Sequence, residues 1–155
     1  HEITHNVLVD ARPRFVEFTP DGKEAWVSAE IGGTVSVIDN ATREIKQKIT
    51  FEIPGLRAES IQPVGVRITA DGKKAYVALG PANRVAVVDT ATYQVTKYIL
   101  VGQRVWQLAF TPDQKTVIST NGVSNDITFI NVATDEPVQS VTVGQLPWGV
   151  VVSPK

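Results

Sequence analysis

The sequence predicts an all-β chain made of four-stranded antiparallel units that recur along its length, and three observations carry that prediction. The 155 residues include 24 Val, 12 Ile and 15 Thr but only 6 Leu, and β-branched side chains suit a pleated strand better than a helix. Three stretches repeat one another: PRFVEFTPDGKEAWVSAEIGGTVSVIDNAT at 13–42, PVGVRITADGKKAYVALGPANRVAVVDTAT at 63–92 and VWQLAFTPDQKTVISTNGVSNDITFINVAT at 105–134. Inside each stretch, apolar and polar residues alternate with the period of two that a strand imposes.

The elements follow in order. ITHNVLVD (3–10) has the pattern of a fourth strand, d, without the first three strands of its unit. In the full repeats strand a is FVEFT, GVRIT and WQLAF, and it is followed by TPDG, TADG or TPDQ. Asp-Gly supplies a positive φ cheaply in a hairpin turn. Strand b is EAWVSA, KAYVAL and KTVIST; strand c is TVSVID, RVAVVD and DITFIN. The next turn carries Ala-Thr each time, and strand d is EIKQKITF, QVTKYILV and PVQSVTV. A fourth copy opens at Pro147, with a trailing strand a at 148–153. Along strand a, Val16 and Phe18, Val66 and Ile68, and Leu108 and Phe110 face one side, while Glu17, Arg67 and Ala109 face the other. Glu17 and Arg67 hold equivalent places in successive units and are expected to meet across their interface. The interval from Asp21 to Asp71 exceeds that from Asp71 to Asp113, and the surplus falls in FEIPGLRAESI (51–61).

Four antiparallel strands in a unit of about 40–45 residues are the mark of a β-propeller blade. One such sheet has two apolar faces and can bury neither alone; stacking sheets around an axis buries both. The expected architecture is a partial β-propeller domain over 1–155, with blades at about 13–51, 63–102 and 105–144, the leading strand at 3–10 and the trailing strand at 148–153. Propellers have at least four blades. The chain is therefore expected to be part of a larger propeller, completed by more of its own chain or by further copies.

KAYVALGPANRVAVVDTAT (74–92) and EAWVSAEIGGTVSVIDNAT (24–42) resemble the YVTN family of β-propeller repeats, whose name motif falls on Tyr76-Val77-Ala78-Leu79 and on Trp26-Val27-Ser28-Ala29. The third copy departs from it with Ile118-Ser119-Thr120-Asn121. The resemblance implies a WD-repeat-like, mostly bacterial or archaeal protein of the periplasm or cell surface, often without enzyme activity and in some cases encoded beside PQQ-dependent alcohol oxidation systems. It is also similar to the nitrite-reductase haem domain and to lactonase-like propellers, which keeps a haem, quinone or hydrolase alternative open.

Composition narrows the chemistry. Fifteen basic against 16 acidic residues leave a formal charge of -1, which argues against a general nucleic-acid binder. No Cys is present, so thiolate metal sites, disulfides and Cys nucleophiles are excluded. No run approaches the roughly 20 apolar residues of a membrane helix. The two histidines are His1 and His5; His5 is a weak candidate metal or haem ligand, and no catalytic constellation is assigned. Asp21, Asp71, Asp113, Asp39 and Asp89 recur at turn positions, where a carboxylate bonds the local backbone.

Residues that differ between copies are the better site candidates, because recurring ones serve the blade. The d-to-a connections DARPRF, ESIQPVG, VGQRVWQ and VGQLPWG are expected at one mouth of the channel, together with the b-to-c turns. Loops held on a rigid scaffold are the usual carriers of binding groups. Arg12, Arg14, Gln62, Arg104, Trp106, Gln107 and Trp148 are the predicted residues for a protein or small-molecule partner, since Arg and Trp are favoured anchors. The b-to-c side adds Glu30, Asn83, Arg84, Asn121, Asn125 and Asp126. The insertion at 51–61 lies on the same face and is a further candidate contact. The sequence thus points to a non-catalytic binding or scaffold propeller, without resident cofactor.

Overall fold

A computed structural model describes residues 2–153; His1, Pro154 and Lys155 lie outside the described residues. Three four-stranded antiparallel sheets form, each with its strands in chain order. Blade 1 contains β1 (Pro13–Phe18), β2 (Glu24–Ala29), β3 (Thr34–Asp39) and β4 (Ile45–Thr50). Blade 2 contains β5 (Val66–Ile68), β6 (Lys74–Ala78), β7 (Arg84–Asp89) and β8 (Val95–Leu100). Blade 3 contains β9 (Val105–Phe110), β10 (Thr116–Asn121), β11 (Asp126–Asn131) and β12 (Glu136–Thr142). These sheets are the expected blades, and the fold is that of a partial β-propeller.

Two expected strands do not form. Residues 3–9 and 148–153 carry no strand. A strand needs a neighbour for its N–H and C=O groups, and the described residues supply no b or c strand beside either segment.

The two side-chain directions of each strand explain the packing. Trp26, Val35, Val37 and Ile49 of blade 1 meet Val66, Ile68, Val77 and Val88 of blade 2. On the other face of blade 2, Tyr76, Val85, Val87 and Ile99 meet Leu108, Val117 and Ile130 of blade 3. Tyr76 and Val77 are adjacent in sequence and lie in different cores, as period two demands. Each fully buried aliphatic side chain contributes about 1.5–3 kcal/mol. The middle blade is therefore covered on both faces, whereas Val16 and Phe18 remain 48% and 58% exposed on the outer face of blade 1.

The turns behave as their residues predict. Thr19, Thr69 and Thr111 each donate a hydroxyl to the Asp two residues on, at 2.6–2.7 Å. Those carboxylates accept the backbone N–H of Lys23, Lys73 and Lys115. In the c-to-d turns Asp39, Asp89 and Asn131 each accept two backbone N–H groups. The insertion is not a free loop: Phe51, Ile53 and Ile61 are buried in the core between blades 1 and 2, and a short 3-10 turn spans Ala58–Ser60.

Glu17 and Arg67 meet as the alternation predicts, with Arg67 Nη1 donating to Glu17 Oε2 at 3.1 Å. The Arg67 guanidinium also lies 4.5 Å from the Phe15 ring centroid. Burial raises the Glu17 pKa above the usual carboxylate value, against the lowering effect of Arg67.

Candidate functional site

The candidate site is built at the end of the blades where the d-to-a connections enter strand a. Arg12 and Arg104 hold equivalent places just before strands β1 and β9, and both take positive φ, 61° and 57°. Leu146, the equivalent residue before Pro147, does the same at 50°. A non-Gly residue in this region is strained by about 1–2 kcal/mol. Two side-chain clamps hold the strained positions: Asn83 Oδ1 accepts Arg104 N–H at 2.8 Å and Asn125 Oδ1 accepts Leu146 N–H at 2.9 Å.

Strand b sets the next rim residue. Ser28 donates its hydroxyl to the Val64 carbonyl at 2.5 Å, and Thr120 donates to the Trp148 carbonyl at 2.9 Å. Ser28 and Thr120 are equivalent in the repeat, as are Val64 and Trp148. Blade 2 has Ala78 at this place, and there Gly65 N–H donates to the Trp106 carbonyl at 2.9 Å. A Cβ on Gly65 would come within 2.9 Å of that carbonyl and 2.8 Å of Gln107 Oε1, so only glycine permits the approach.

The side chains converge from blades 1 and 3 and from the segment after blade 3. Glu30 is 3% exposed and takes Arg12 Nε at 3.1 Å and Arg14 Nε at 3.3 Å on the same Oε2. Among the described residues no hydrogen bond of good geometry reaches that oxygen, so the contact is ionic. The Arg14 guanidinium lies 5.9 Å from the Trp106 ring centroid and 6.0 Å from that of Trp148. The Arg104 guanidinium lies 4.9 Å from Trp106. A cavity of about 360 Å³ opens beside them, lined by Arg14, Phe15, Arg67, Gln107 and Trp148 among others. Gln107 is 6% exposed, and its buried Oε1 has no hydrogen-bond donor among the described residues.

A family description of a YncE-like β-propeller matches residues 69–155, more than half of the chain. The chain belongs to the YncE-like β-propeller family. Hydrazine synthase from Kuenenia stuttgartiensis superposes with a TM-score of 0.77 at 25% identity, over 96% of this chain and 40% of that one. A functionally unknown protein from Desulfotomaculum acetoxidans gives 0.75 at 18%, over 91% and 45%. The RRP9 WD40 repeats give 0.75 at 16%, over 89% and 40%. The chain thus spans less than half the length of each of these. No curated protein matches it.

In this YncE-like chain the predicted rim residues are partly assembled. Arg12, Arg14, Arg104, Trp106, Gln107 and Trp148 form one connected patch through Glu30, the indoles and the cavity. Gln62 is not joined to it by any described contact; its Nε2 donates to the Glu59 carbonyl at 3.0 Å. His5 is exposed on the irregular leading segment. Sequence reasoning placed Asn83 and Asn125 on the rim as candidate contacts, whereas their side chains clamp the backbone. It missed Thr120 and Ser28 entirely. The available signal was their shared place near the end of strand b, where a hydroxyl interrupts an apolar run.

The opposite end of the blades has a second set of contacts between neighbours. Tyr93 donates to Glu24 at 2.6 Å, joining blade 2 to blade 1. Lys74 and Tyr76 both donate to Asp135, at 2.7 Å and 2.5 Å, joining blade 2 to blade 3. Burial, then the hydrogen bond and charge of Asp135, push the Tyr76 pKa up, which keeps its hydroxyl a donor.

Proposed function

We propose that the chain is part of a non-catalytic binding propeller that presents its channel-mouth connections to a protein or small-molecule partner. The observation behind this reading is Arg14, held by buried Glu30 and flanked by Trp106 and Trp148, beside an open cavity. Guanidinium and indole groups are the side chains that most often anchor interfaces. A place in the periplasm or at the cell surface, beside a PQQ-dependent oxidation system, belongs to the proposal on family resemblance alone. Ring completion by further blades also belongs to it: Val16 and Phe18 occupy on blade 1 the positions through which Val66 and Ile68 of blade 2 receive blade 1.

The residues do not fit a haem. Haem iron takes His, Met, Cys or Tyr; the chain has no Met or Cys, its one described histidine is exposed on the leading segment, and its tyrosines lie in the blades. The quinone and hydrolase alternatives have no observation of their own behind them.

The test is a screen of peptides and small molecules that compares ligand-induced thermal stabilisation of the wild type with that of Arg14→Gln/Arg104→Gln. Ligands that stabilise the wild type should lose that effect on the variant. Equal stabilisation of both would discard the rim as the binding surface.

A further inference from the structure

We infer that strand β12 is a self-pairing edge: a second copy of this chain lays its own β12 against it, antiparallel, about a two-fold axis through Val141. β12 is the strand of blade 3 furthest from β9, which the rim connections enter, so the contact stands apart from the rim reading above.

Each blade ends in an outer strand, β4, β8 or β12, and among the described residues no strand lies beyond it. Lysine on such an edge deters pairing, because an added strand strips water from its charge. Past its bulge, β4 pairs with its neighbour through Gln47-Lys48-Ile49-Thr50, and β8 through Lys97-Tyr98-Ile99-Leu100. The equivalent stretch of β12 is Gln139-Ser140-Val141-Thr142. It has no lysine, and no charged residue occurs from Pro137 through Ser153. Val141 and Val143 are 37% and 38% exposed. Pro137 and the register shift beside it protect only the start of the strand. The first two edges thus carry the usual defence against an added strand, and the third lacks it.

The ladder sets which backbone groups face outward. Val143 N–H donates inward to the Asn125 carbonyl at 2.9 Å. In an antiparallel pair the inward-bonding residues alternate. Val141, opposite Ile127, therefore also bonds inward, while Ser140 and Thr142 turn their N–H and C=O groups outward. A second β12 running antiparallel, with Val141 opposite Val141, sets Ser140 of each copy opposite Thr142 of the other. Each such pair exchanges two N–H···O bonds, so four backbone hydrogen bonds form and all four outward N–H groups find acceptors. The two Val141 side chains then meet in a pair whose Cα atoms lie about 4.5 Å apart, the closer spacing of an antiparallel ladder. Val141 shares its sheet face with Phe129 and Ile127, so the joined sheets have one continuous apolar face. The strand is thereby complementary to itself, as a two-fold contact requires. With no charge in it, nothing repels its own copy.

The test is sedimentation equilibrium of the 155-residue chain carrying Val16→Thr and Phe18→Thr, which removes association through the open face of blade 1. That chain should form dimers and nothing larger, because a two-fold contact is closed. In the same background Val141→Lys and Val141→Glu should each be monomeric, since each sets like charges opposite one another on the axis. An equal mixture of the two should dimerise again, because Lys then faces Glu. Thr142→Pro deletes two of the four bonds without touching the ladder to β11, and should weaken the dimer at least about 10-fold. Thr50→Pro, the same change at the equivalent place in β4, should leave it unaltered. Near-UV circular dichroism should match across the variants, and the Lys/Glu mixture is decisive even where a proline variant does not fold. A chain that stays monomeric up to about 100 µM, species larger than a dimer, dimers that persist in Val141→Lys alone, or a mixture that stays monomeric would each overturn the inference. Any of these leaves the rim reading standing, since that reading is decided by ligand-induced stabilisation.

Discussion

Thr120 shows how a single hydroxyl sets a rim residue. Its Oγ1 receives Gln107 N–H at 3.1 Å and donates to the Trp148 carbonyl at 2.9 Å, in a residue that is 1% exposed. Valine has nearly the same shape but no hydroxyl, so it leaves both backbone groups unpaired. Thr120→Val should cost about 1–3 kcal/mol, the usual penalty for a buried unsatisfied group. It should also raise hydrogen exchange through 146–150. Urea unfolding and exchange measured on the same variant check both, and unaltered exchange in that segment would show that Trp148 is held by other means. Gly65 and Asn83 work on the same scale: one permits a close backbone approach, the other secures a strained one.

At the level of the hairpin, the repeated carboxylates tie stability to pH. Asp21, held down by the Thr19 hydroxyl and then by Lys23 N–H, has its pKa lowered to about 2. The Thr69 and Thr111 hydroxyls lower Asp71 and Asp113 first, and the N–H of Thr42 and of Thr92 lower Asp39 and Asp89 first. A lowered folded-state pKa contributes stability that is complete above the unfolded value, about 3.9. That stability is lost as pH falls from there toward 2. Glu17 acts in the opposite sense, because burial raises its pKa and protonation relieves that cost. Asp→Asn at positions 21, 39, 71, 89 and 113 keeps an acceptor in each turn, as Asn131 already does. The acid-induced fall in urea midpoint between pH 4 and pH 2 should then become much shallower than in the wild type. Parallel profiles would mean that the turns do not govern acid unfolding. The contacts between blades are also an element-scale device: Glu24 meets Tyr93 while Lys74 meets Asp135, so equivalent positions carry opposite charge and each blade suits its own neighbour.

For the molecule as a whole, the unequal cover of the three blades matters most. Blade 2 is buried on both sides, while strand β12 is exposed along its full length and blade 1 shows Val16 and Phe18. An apolar sheet face without a neighbour favours association. The 155-residue chain should self-associate at micromolar concentration, and Val16→Thr with Phe18→Thr should shift it toward monomer. Sedimentation velocity over a concentration series measures this, and a wild type that stays monomeric throughout would contradict it.

Much of this was legible in the residues. β-branched content, the threefold repeat and period-two alternation determined the four-stranded units, the turn chemistry and even the meeting of Glu17 with Arg67, because all of these follow from local geometry copied along one chain. Strand formation at 3–10 and 148–153 was misjudged for a physical reason: propensity belongs to a segment, but a strand exists only beside a partner. Of the residues proposed for the rim, the fold brings Arg12, Arg14, Arg104, Trp106, Gln107 and Trp148 into one patch. Gln62 fell outside the patch, and the backbone partners of Asn83, Asn125, Ser28 and Thr120 could not be read from the residues, since each clamp joins residues 21 to 36 positions apart. Only the tertiary structure decided that Arg14 of blade 1 lies near the indoles of Trp106 in blade 3 and Trp148 in the segment after it, because the curvature that stacks the blades, rather than any spacing in the chain, brings those side chains to one place.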